Sequence, residues 1–391
     1  MATDLPKIID ADSIWVNSDT PSQQLLMTFW ASVMHLMVAE LGSKTALEAM
    51  LPYDKANGMG GGLAAKRITG IEKMDEASTV SIINFTRQIL FRKELPVYIS
   101  EKGAVSSTES CWFENSMPEI CVSICQFKGN GVVEALNPEL EWFMFAKRQS
   151  GDPFCKGMVR RRTLGDLWGK QMYDLRDPEF DEGRFLHEID VPVIPAESLE
   201  DLRMQYYGEL WVVTTRSFID AVGTDRALDT LLPSMKSIGI SASKKFLLGE
   251  VLGDAPLEFI SEAIDRFGDT LLQEGTVEVD DQGLTHKEIN QCPFASAPFE
   301  ICLQYEAFCQ GVCSFLNPGY EFAYDRMMTR GDKTCHWTIR KKGELVKEKT
   351  KGEVTSEDPT KALGLRLARG EISLEEFEKT IASLKKHDVI K

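Results

Sequence analysis

The chain has 391 residues, 43% of them hydrophobic and 27% charged, which is typical of a globular protein long enough for two domains. Its formal charge of −16 at pH 7 argues against nucleic acid and anionic membranes as partners, and we expect no membrane-spanning segment. The first residues are acidic where a secretory signal is basic and apolar, so we expect a cytoplasmic protein. The nine cysteines then predict reduced thiols, used as core residues, metal ligands or nucleophiles.

The chain contains two copies of one sequence unit. Matching residues recur at an offset of 181 in the first part of the unit and 180 in the second, so residues 25–162 and 206–343 form two repeats. Matched pairs include Trp30 with Trp211, Gly42 with Gly223, Pro52 with Pro233, Cys111 with Cys292, Cys121 with Cys302, Asn137 with Asn317, and Cys155 with Cys335. This order predicts two similar domains, related by pseudo-twofold packing and joined by a linker over residues 163–205 that packs on them.

Each repeat begins with patterns typical of helices. Apolar residues three and four apart predict one helix that ends at Gly42 and another that ends at Gly223, each followed by two more helices. The stretch "NGMGGGLAAKR" (57–67) lacks the strand that precedes a phosphate loop, so we interpret it as a flexible connection between helices. Two strands, a helix with cysteines and two further strands complete the unit. The sequence therefore predicts an α+β fold, with helices packed on a small antiparallel sheet in each repeat.

Residues 358–388 have the pattern of a helical hairpin. Ser373 and Glu376 form a capping box at the start of its second helix. The stretch resembles the short C-terminal (SHOCT) hairpin found at the ends of many prokaryotic proteins, and the residues that match are Leu363, Leu367, Gly370, Ile372, Glu376 and Phe377. The resemblance implies docking to a partner or a homo-oligomer formed through the hairpin, and no chemistry.

The cysteine-containing part of each repeat resembles a known family. In the second repeat, "CPFASAPFEICLQYEAFCQGVCSFLNPGYEFAYDRMMTRGDKTCHW" has a Cys, a short spacer, Glu-x-Cys on a predicted helix and a closing Gly-Asp-x-x-Cys. This order is similar to the L-2-amino-thiazoline-4-carboxylic acid hydrolase family, and its closing motif to the 4-vinyl reductase domain of a wider ligand-binding superfamily. The resemblance implies a hydrolase-like enzyme that opens a C–N bond in a small cyclic amidine-like substrate. The alternative is a non-catalytic protein that binds a small molecule, a metal or a cofactor.

Two sets of cysteines are candidate ligands of zinc or another divalent metal, because thiolates and a carboxylate suit such ions. The sets are Cys111, Cys121, Cys125 and Cys155 in the first repeat, and Cys292, Cys302, Glu306 and Cys335 in the second. Their spacing lacks the tight C-x-x-C of structural zinc sites, so the alternative of buried core thiols stays open. Cys309 and Cys313 have no cysteine counterparts in the first repeat, and we interpret them as core residues.

Hydrolysis of an amino-thiazoline ring, which the resemblance implies, needs a nucleophile or activated water and an acid for the departing thiolate. We expect the site in the second repeat, which alone has Glu306 and His336. The candidates are Cys302 as nucleophile or metal ligand, Glu306 or Glu300 for proton transfer, Asp332 to orient the loop of Cys335, and His336 as base or ligand.

Three of these candidates also have structural interpretations. Asp332, like its counterpart Asp152, follows a glycine and suits a turn. Glu300 lies near a helix start, where a carboxylate favours the helix dipole. The counterpart of His336 is Lys156, so this histidine is also compatible with the surface of a strand.

Overall fold

The structure, a computed structural model, describes residues 14–343 except 17, 90–95, 110, 114, 163–179, 248–252 and 281–283. The predicted C-terminal hairpin at 358–388 lies outside the described residues. The first repeat has α1 (Pro21–Leu41), α2 (Ser43–Thr69), α3 (Glu76–Arg87), β1 (Val97–Ser100), β2 (Gly103–Thr108), α4 (Pro118–Cys121), a π-helical segment (Val122–Phe127), α5 (Lys128–Leu136), β3 (Leu140–Ala146) and β4 (Cys155–Arg161).

Strand β5 (Phe185–Ile189) follows in the predicted linker. The second repeat has α6 (Ala196–Val222), α7 (Thr224–Phe246), α8 (Leu257–Thr270), β6 (Glu274–Val279), β7 (Thr285–Gln291), α9 (Phe299–Leu316), β8 (Tyr320–Arg326) and β9 (Cys335–Lys341). Helix α6 thus begins inside the predicted linker. The fold is α+β with two small antiparallel sheets, which confirms the predicted fold class.

The two sheets have the same strand order. It is β3-β4-β2-β1 in the first repeat, with β5 added beside β1, and β8-β9-β7-β6 in the second. Thr108 pairs with Cys155 in one sheet, and its counterpart Ile289 pairs with Cys335 in the other. The two repeats therefore agree down to the register of their strands.

Helices α1 and α6 hold the repeats together through a shared core. The indole Nε1 of Trp30 donates to Oγ1 of Thr214 over 3.0 Å, and the ring centroids of Phe29 and Trp211 are 4.9 Å apart. By length and composition α1 is also apolar enough to cross a membrane, but 67% of its most apolar stretch is buried inside the fold. A core helix has the same properties, so this finding says little about location.

Helix α2 continues without a break through Pro52 and the glycine-rich stretch, so the predicted flexible connection at 57–67 is wrong. Helix α7 likewise continues through Pro233. A proline removes one hydrogen bond of a helix, and glycines weaken it further. The continuous helices therefore depend on tertiary packing, which outweighs these local preferences.

That packing is a close approach of backbones. A Cβ at Gly58 would lie 2.2 Å from the carbonyl oxygen of Lys128, and a Cβ at Gly239 would lie 2.0 Å from that of Phe308. Only glycine leaves room for α5 against α2 and for α9 against α7. The equivalent contacts also establish that Lys128 and Phe308 hold the same position in the two repeats.

The change of offset from 181 to 180 has a structural counterpart in the cysteine helix. In the first repeat this helix has parts of 4, 6 and 9 residues, whereas α9 has 18 and is α-helical throughout. The middle part, Val122–Phe127, is π-helical. One extra residue between two fixed helix ends is accommodated by this wider turn, and such turns often occur at functional sites.

Candidate functional site

The three recurring cysteines of the second repeat come together around a very small space. Cys292, Cys302 and Cys335 line a cavity of about 10 Å³, which has room for one water molecule at most. The Sγ of Cys302 lies 3.2 Å from Oγ1 of Thr329, and the Sγ of Cys335 accepts a hydrogen bond of 3.2 Å from the backbone N–H of Met328. Burial raises the pKa of Cys302 to about 12. These are neutral thiols with no space for a substrate.

His336 does not join this cluster. It follows Cys335 on β9, and successive side chains of a strand point to opposite faces of the sheet. Its Nδ1 lies 3.0 Å from Oδ2 of Asp325, and its Nε2 lies 3.3 Å from Nδ1 of His286. His336 therefore lies on the sheet face opposite Cys335, and its role as a base or ligand stays a prediction.

Asp332 has the structural role of a turn residue. Its Oδ2 accepts a hydrogen bond of 2.8 Å from the backbone N–H of Met327. In the first repeat Asp152 accepts the equivalent bond from Lys147 over 2.9 Å. The same contact in both repeats shows that this carboxylate closes the turn that presents the following cysteine.

The two glutamates of α9 are engaged within their own helix and its neighbouring strand. Glu300 lies buried in the first turn. Oε1 of Glu306 accepts a hydrogen bond of 3.4 Å from Nε2 of Gln310, and burial raises the pKa of Glu306, although the backbone of Tyr324 partly offsets this. Among the described residues, neither carboxylate is hydrogen-bonded to Cys302, whose thiol contacts Thr329 instead.

The cysteines of the first repeat form a similar buried group. Burial is the main cause that raises the pKa of Cys111, Cys121, Cys125 and Cys155, and that of Cys125 reaches about 11. Over the part of the chain that the structure describes, no three His, Cys, Asp or Glu side chains are arranged to hold a metal ion. This corrects both predicted ligand sets, including Cys292 and Cys335, and favours the core interpretation.

A much larger cavity lies elsewhere, in the first repeat. It has a volume of about 510 Å³ and lies between α2, α3, the π segment with α5, and α6. Cavities of about 300–1,000 Å³ accept ligands the size of a drug. The walls are mainly apolar and include Ala65, Ile68, Ile83, Ile124, Val132 and Leu202. Gly60 and Gly61 are exposed lining residues, where a Cβ would meet no atom within 4 Å, and they mark the mouth.

Lys128 is a buried cation in the wall of this cavity. Its Nζ donates to Oδ1 of Asn57 over 2.7 Å and lies 4.7 Å from the ring centroid of Tyr206. Burial lowers the pKa of Lys128 to about 8, although the carboxylates of Asp54 and Glu209 act in the opposite direction. At neutral pH the side chain is therefore mostly charged, in a place where charge is poorly stabilised.

Arg87 is the second cation that lines the cavity. Its Nη1 donates to Oγ of Ser106 over 2.9 Å, and that hydroxyl in turn donates to Oδ1 of Asn84 over 3.2 Å. The guanidinium carbon lies 5.7 Å from the ring centroid of Trp142. These contacts place the guanidinium of Arg87 at the junction of α3 and β2.

The corresponding positions of the second repeat carry larger side chains. The pairs are Ala65 with Phe246, Lys128 with Phe308, and Gly129 with Cys309. Trp15 also packs here, and its ring centroid lies 5.4 Å from that of Phe246. Its Nε1 donates a hydrogen bond of 2.7 Å to Oγ of Ser241, which is the counterpart of Gly60. Over the described residues, the second repeat thus has larger side chains where the first has a cavity, and of these Phe308 and Cys309 are fully buried.

Sequence reasoning did not find this cavity. The sequence contains one feature that could have indicated it: the glycines of 57–67 match the bulkier residues "SIGISASKKF" in the second repeat. Comparison of the chain with models of protein families, with curated proteins and with solved structures gives no match. The resemblance to the hydrolase family stays a prediction.

Proposed function

We propose that this protein binds an apolar small molecule in the cavity of the first repeat. The observation that carries the proposal is the cavity of about 510 Å³ itself, at a place where the second copy of the same fold is filled. Unfilled space lowers stability, because the atoms that line it lose packing contacts. The second repeat folds without such a cavity, so the fold does not require one. We therefore attribute the cavity of the first repeat to ligand binding.

This proposal agrees with the alternative from the sequence, a ligand-binding protein of the wider superfamily, better than with a hydrolase centred on Cys302. A nucleophilic thiol needs an accessible thiolate. Cys302 is instead 8% exposed, beside a cavity of about 10 Å³. The large cavity of the first repeat offers the room that the second repeat lacks.

The proposal can be tested with N-phenyl-1-naphthylamine, a neutral apolar dye whose fluorescence rises when it leaves water. We expect saturable binding of one dye per chain. Ala65→Phe introduces the phenyl ring that Phe246 has in the second repeat, and should weaken binding at least about tenfold. Ala56→Phe is the matched control, because Ala56 lies on the same helix but is exposed and does not line the cavity.

A second variant that fills the cavity keeps the proposal testable if Ala65→Phe does not fold. Gly61→Phe enters at the mouth, where a Cβ meets no atom within 4 Å, so the helix has room for the new side chain. Circular dichroism and thermal unfolding establish that each variant is folded. Dye binding that is absent from the wild type, or that is unchanged in both folded filling variants, would overturn the proposal.

A further inference from the structure

Lys128 provides the one primary amine among the described residues that line the cavity of the first repeat. Its Nζ donates a hydrogen bond to Asn57 and lies over the ring of Tyr206, and both of these residues line the same cavity. The amine nitrogen therefore lies at the cavity wall, although Lys128 as a residue is only 5% exposed.

The polar group around this amine is absent from the second repeat. Three of its residues are matched there by buried apolar residues: Asp54 by Met235, Asn57 by Ile238, and Lys128 by Phe308. The contact between the two helices needs none of these polar side chains, since the same close approach of backbones forms in both repeats. The polar group therefore accompanies the cavity and not the fold.

Asp54 is a buried carboxylate whose hydrogen bonding is incomplete. Its Oδ2 accepts a hydrogen bond of 2.6 Å from Oγ of Ser123, whereas its Oδ1 has no hydrogen-bond partner among the described residues. Burial raises the pKa of Asp54 to about 6 and lowers that of Lys128 to about 8. An acid and an amine whose pKa values both move towards neutrality are typical of reactive sites.

The backbone is irregular at the same place. Lys128 is the first residue of α5 and directly follows the π-helical segment Val122–Phe127, which contains Ser123. The matching helix of the second repeat is α-helical throughout. Since π-helical turns often occur at functional sites, the extra residue and the polar group support the same interpretation.

We infer that Lys128 forms an imine with an aldehyde whose apolar body lies in this cavity. The inference rests on the proposed function and names the chemical class of the ligand. A lysine amine that is removed from water in an apolar pocket is a nucleophile towards carbonyl groups. Asn57, which accepts the hydrogen bond from Nζ, is neutral, so this contact is compatible with a neutral amine as well as with a charged one.

The reaction needs no oxidant or reductant. The neutral amine attacks the carbonyl carbon and forms a C–N bond, and the carbonyl oxygen takes up a proton to give a carbinolamine. The C–O bond then breaks, water leaves, and a C=N bond remains. At pH 7 about a tenth of an amine with a pKa of about 8 is neutral, against fewer than about one in a thousand of ordinary lysine amines.

The surroundings of Lys128 suit the product as well as the amine. A protonated imine carries the same positive charge as the ammonium group, and the carboxylates of Asp54 and Glu209, which favour charged Lys128, favour this charge too. The aldehyde itself brings no charge into the cavity. Its apolar body would cover the mainly apolar walls and exclude the water that hydrolyses imines.

The test uses decanal at pH 7 with sodium cyanoborohydride, which reduces an imine to a stable secondary amine. Mass spectrometry of peptides from timed samples then locates the modified lysines. We expect Lys128 to be labelled at least about tenfold faster than exposed lysines such as Lys44, whose side chain is 77% exposed, because more of its amine is neutral. Decan-1-ol, which has the same chain length and no carbonyl group, should slow labelling of Lys128 and not that of Lys44.

A pair of variants checks the assignment. Lys128→Met should abolish the fast labelling. Lys44→Met is the matched control and should retain it, because Lys44 lies on α2, is exposed and does not line the cavity. Circular dichroism establishes that both variants are folded. The comparison of lysines within the wild type needs no variant, so it tests the inference even if Lys128→Met does not fold.

Failure of this inference can be told apart from failure of the proposed function. If N-phenyl-1-naphthylamine binds but Lys128 is labelled no faster than Lys44, or decan-1-ol does not slow its labelling, the imine is excluded and the proposed function stands. If the dye does not bind to the wild type, the proposed function fails as well.

Discussion

Lys128 and Phe308 occupy one position in two copies of one fold, and the carbonyl oxygen of each lies against a glycine of the preceding long helix, Gly58 or Gly239. From this shared backbone position the first repeat presents a cation to a cavity, and the second presents an aromatic ring to a filled core. The contrast between a binding site and a core therefore arises from side chains, while the helix contact that supports both is kept.

The helix contact predicts opposite effects for two neighbouring glycines of α2. Gly58→Ala places a methyl group 2.2 Å from the carbonyl oxygen of Lys128, and forcing α5 away should lower the free energy of unfolding by about 1–3 kcal/mol. Gly60→Ala meets no atom within 4 Å and should raise it by about 0.5–1 kcal/mol, because alanine favours the helix. Urea unfolding measures both changes. Equal effects at the two positions would contradict the close approach of α2 and α5.

We expect Asp332 to contribute to the stability of the fold and not to ligand binding. Asp332→Ala removes the acceptor for the backbone N–H of Met327, and we expect a loss of about 1 kcal/mol in the free energy of unfolding. Asp152→Ala should cost a similar amount, because the same bond forms at Lys147 in the first repeat. Neither variant should change dye binding. A large cost at only one of the two turns would be evidence against the shared role.

Cys302 should be unreactive in the native protein. Burial raises the pKa of its thiol to about 12 and that of Cys313 to about 12, so both are protonated at pH 8. Iodoacetamide reacts with thiolates, and we expect Cys302 to be labelled no faster than Cys309 and Cys313, as measured by mass spectrometry with a urea-denatured sample as reference. Fast and selective labelling of Cys302 would contradict this prediction and would support Cys302 as a nucleophile.

Much of the fold could be predicted because it depends on local patterns. The helix stops at Gly42 and Gly223 follow from the positive φ of those glycines, which are 78° and 87°. The α+β class and the two repeats follow from periodicity and from matched residues. The unbroken length of helix α2 could not be predicted, because Pro52 interrupts the pattern and the contact that offsets it comes from α5, far along the chain.

The site was harder to predict than the fold, for two different reasons. The position of His336 could have been anticipated, since neighbouring residues of a strand face opposite ways and Cys335 was predicted to join Cys302 in one ligand set. The cavity could not, because its walls come from four separate parts of the first repeat and α6. A sequence shows which side chains are small but not which empty spaces they share.

The π segment links two differences between the copies that lie far apart in the sequence. Its extra residue is confined to one turn, so α5 resumes the same contacts with α2 that α9 makes with α7. Within that turn the carbonyl of Cys125 accepts a bond of 2.7 Å from Nε1 of Trp142, whose counterpart Phe322 has no donor to offer. The extra residue and the indole donor that binds its turn are therefore coupled: the first copy has both, and the second has neither.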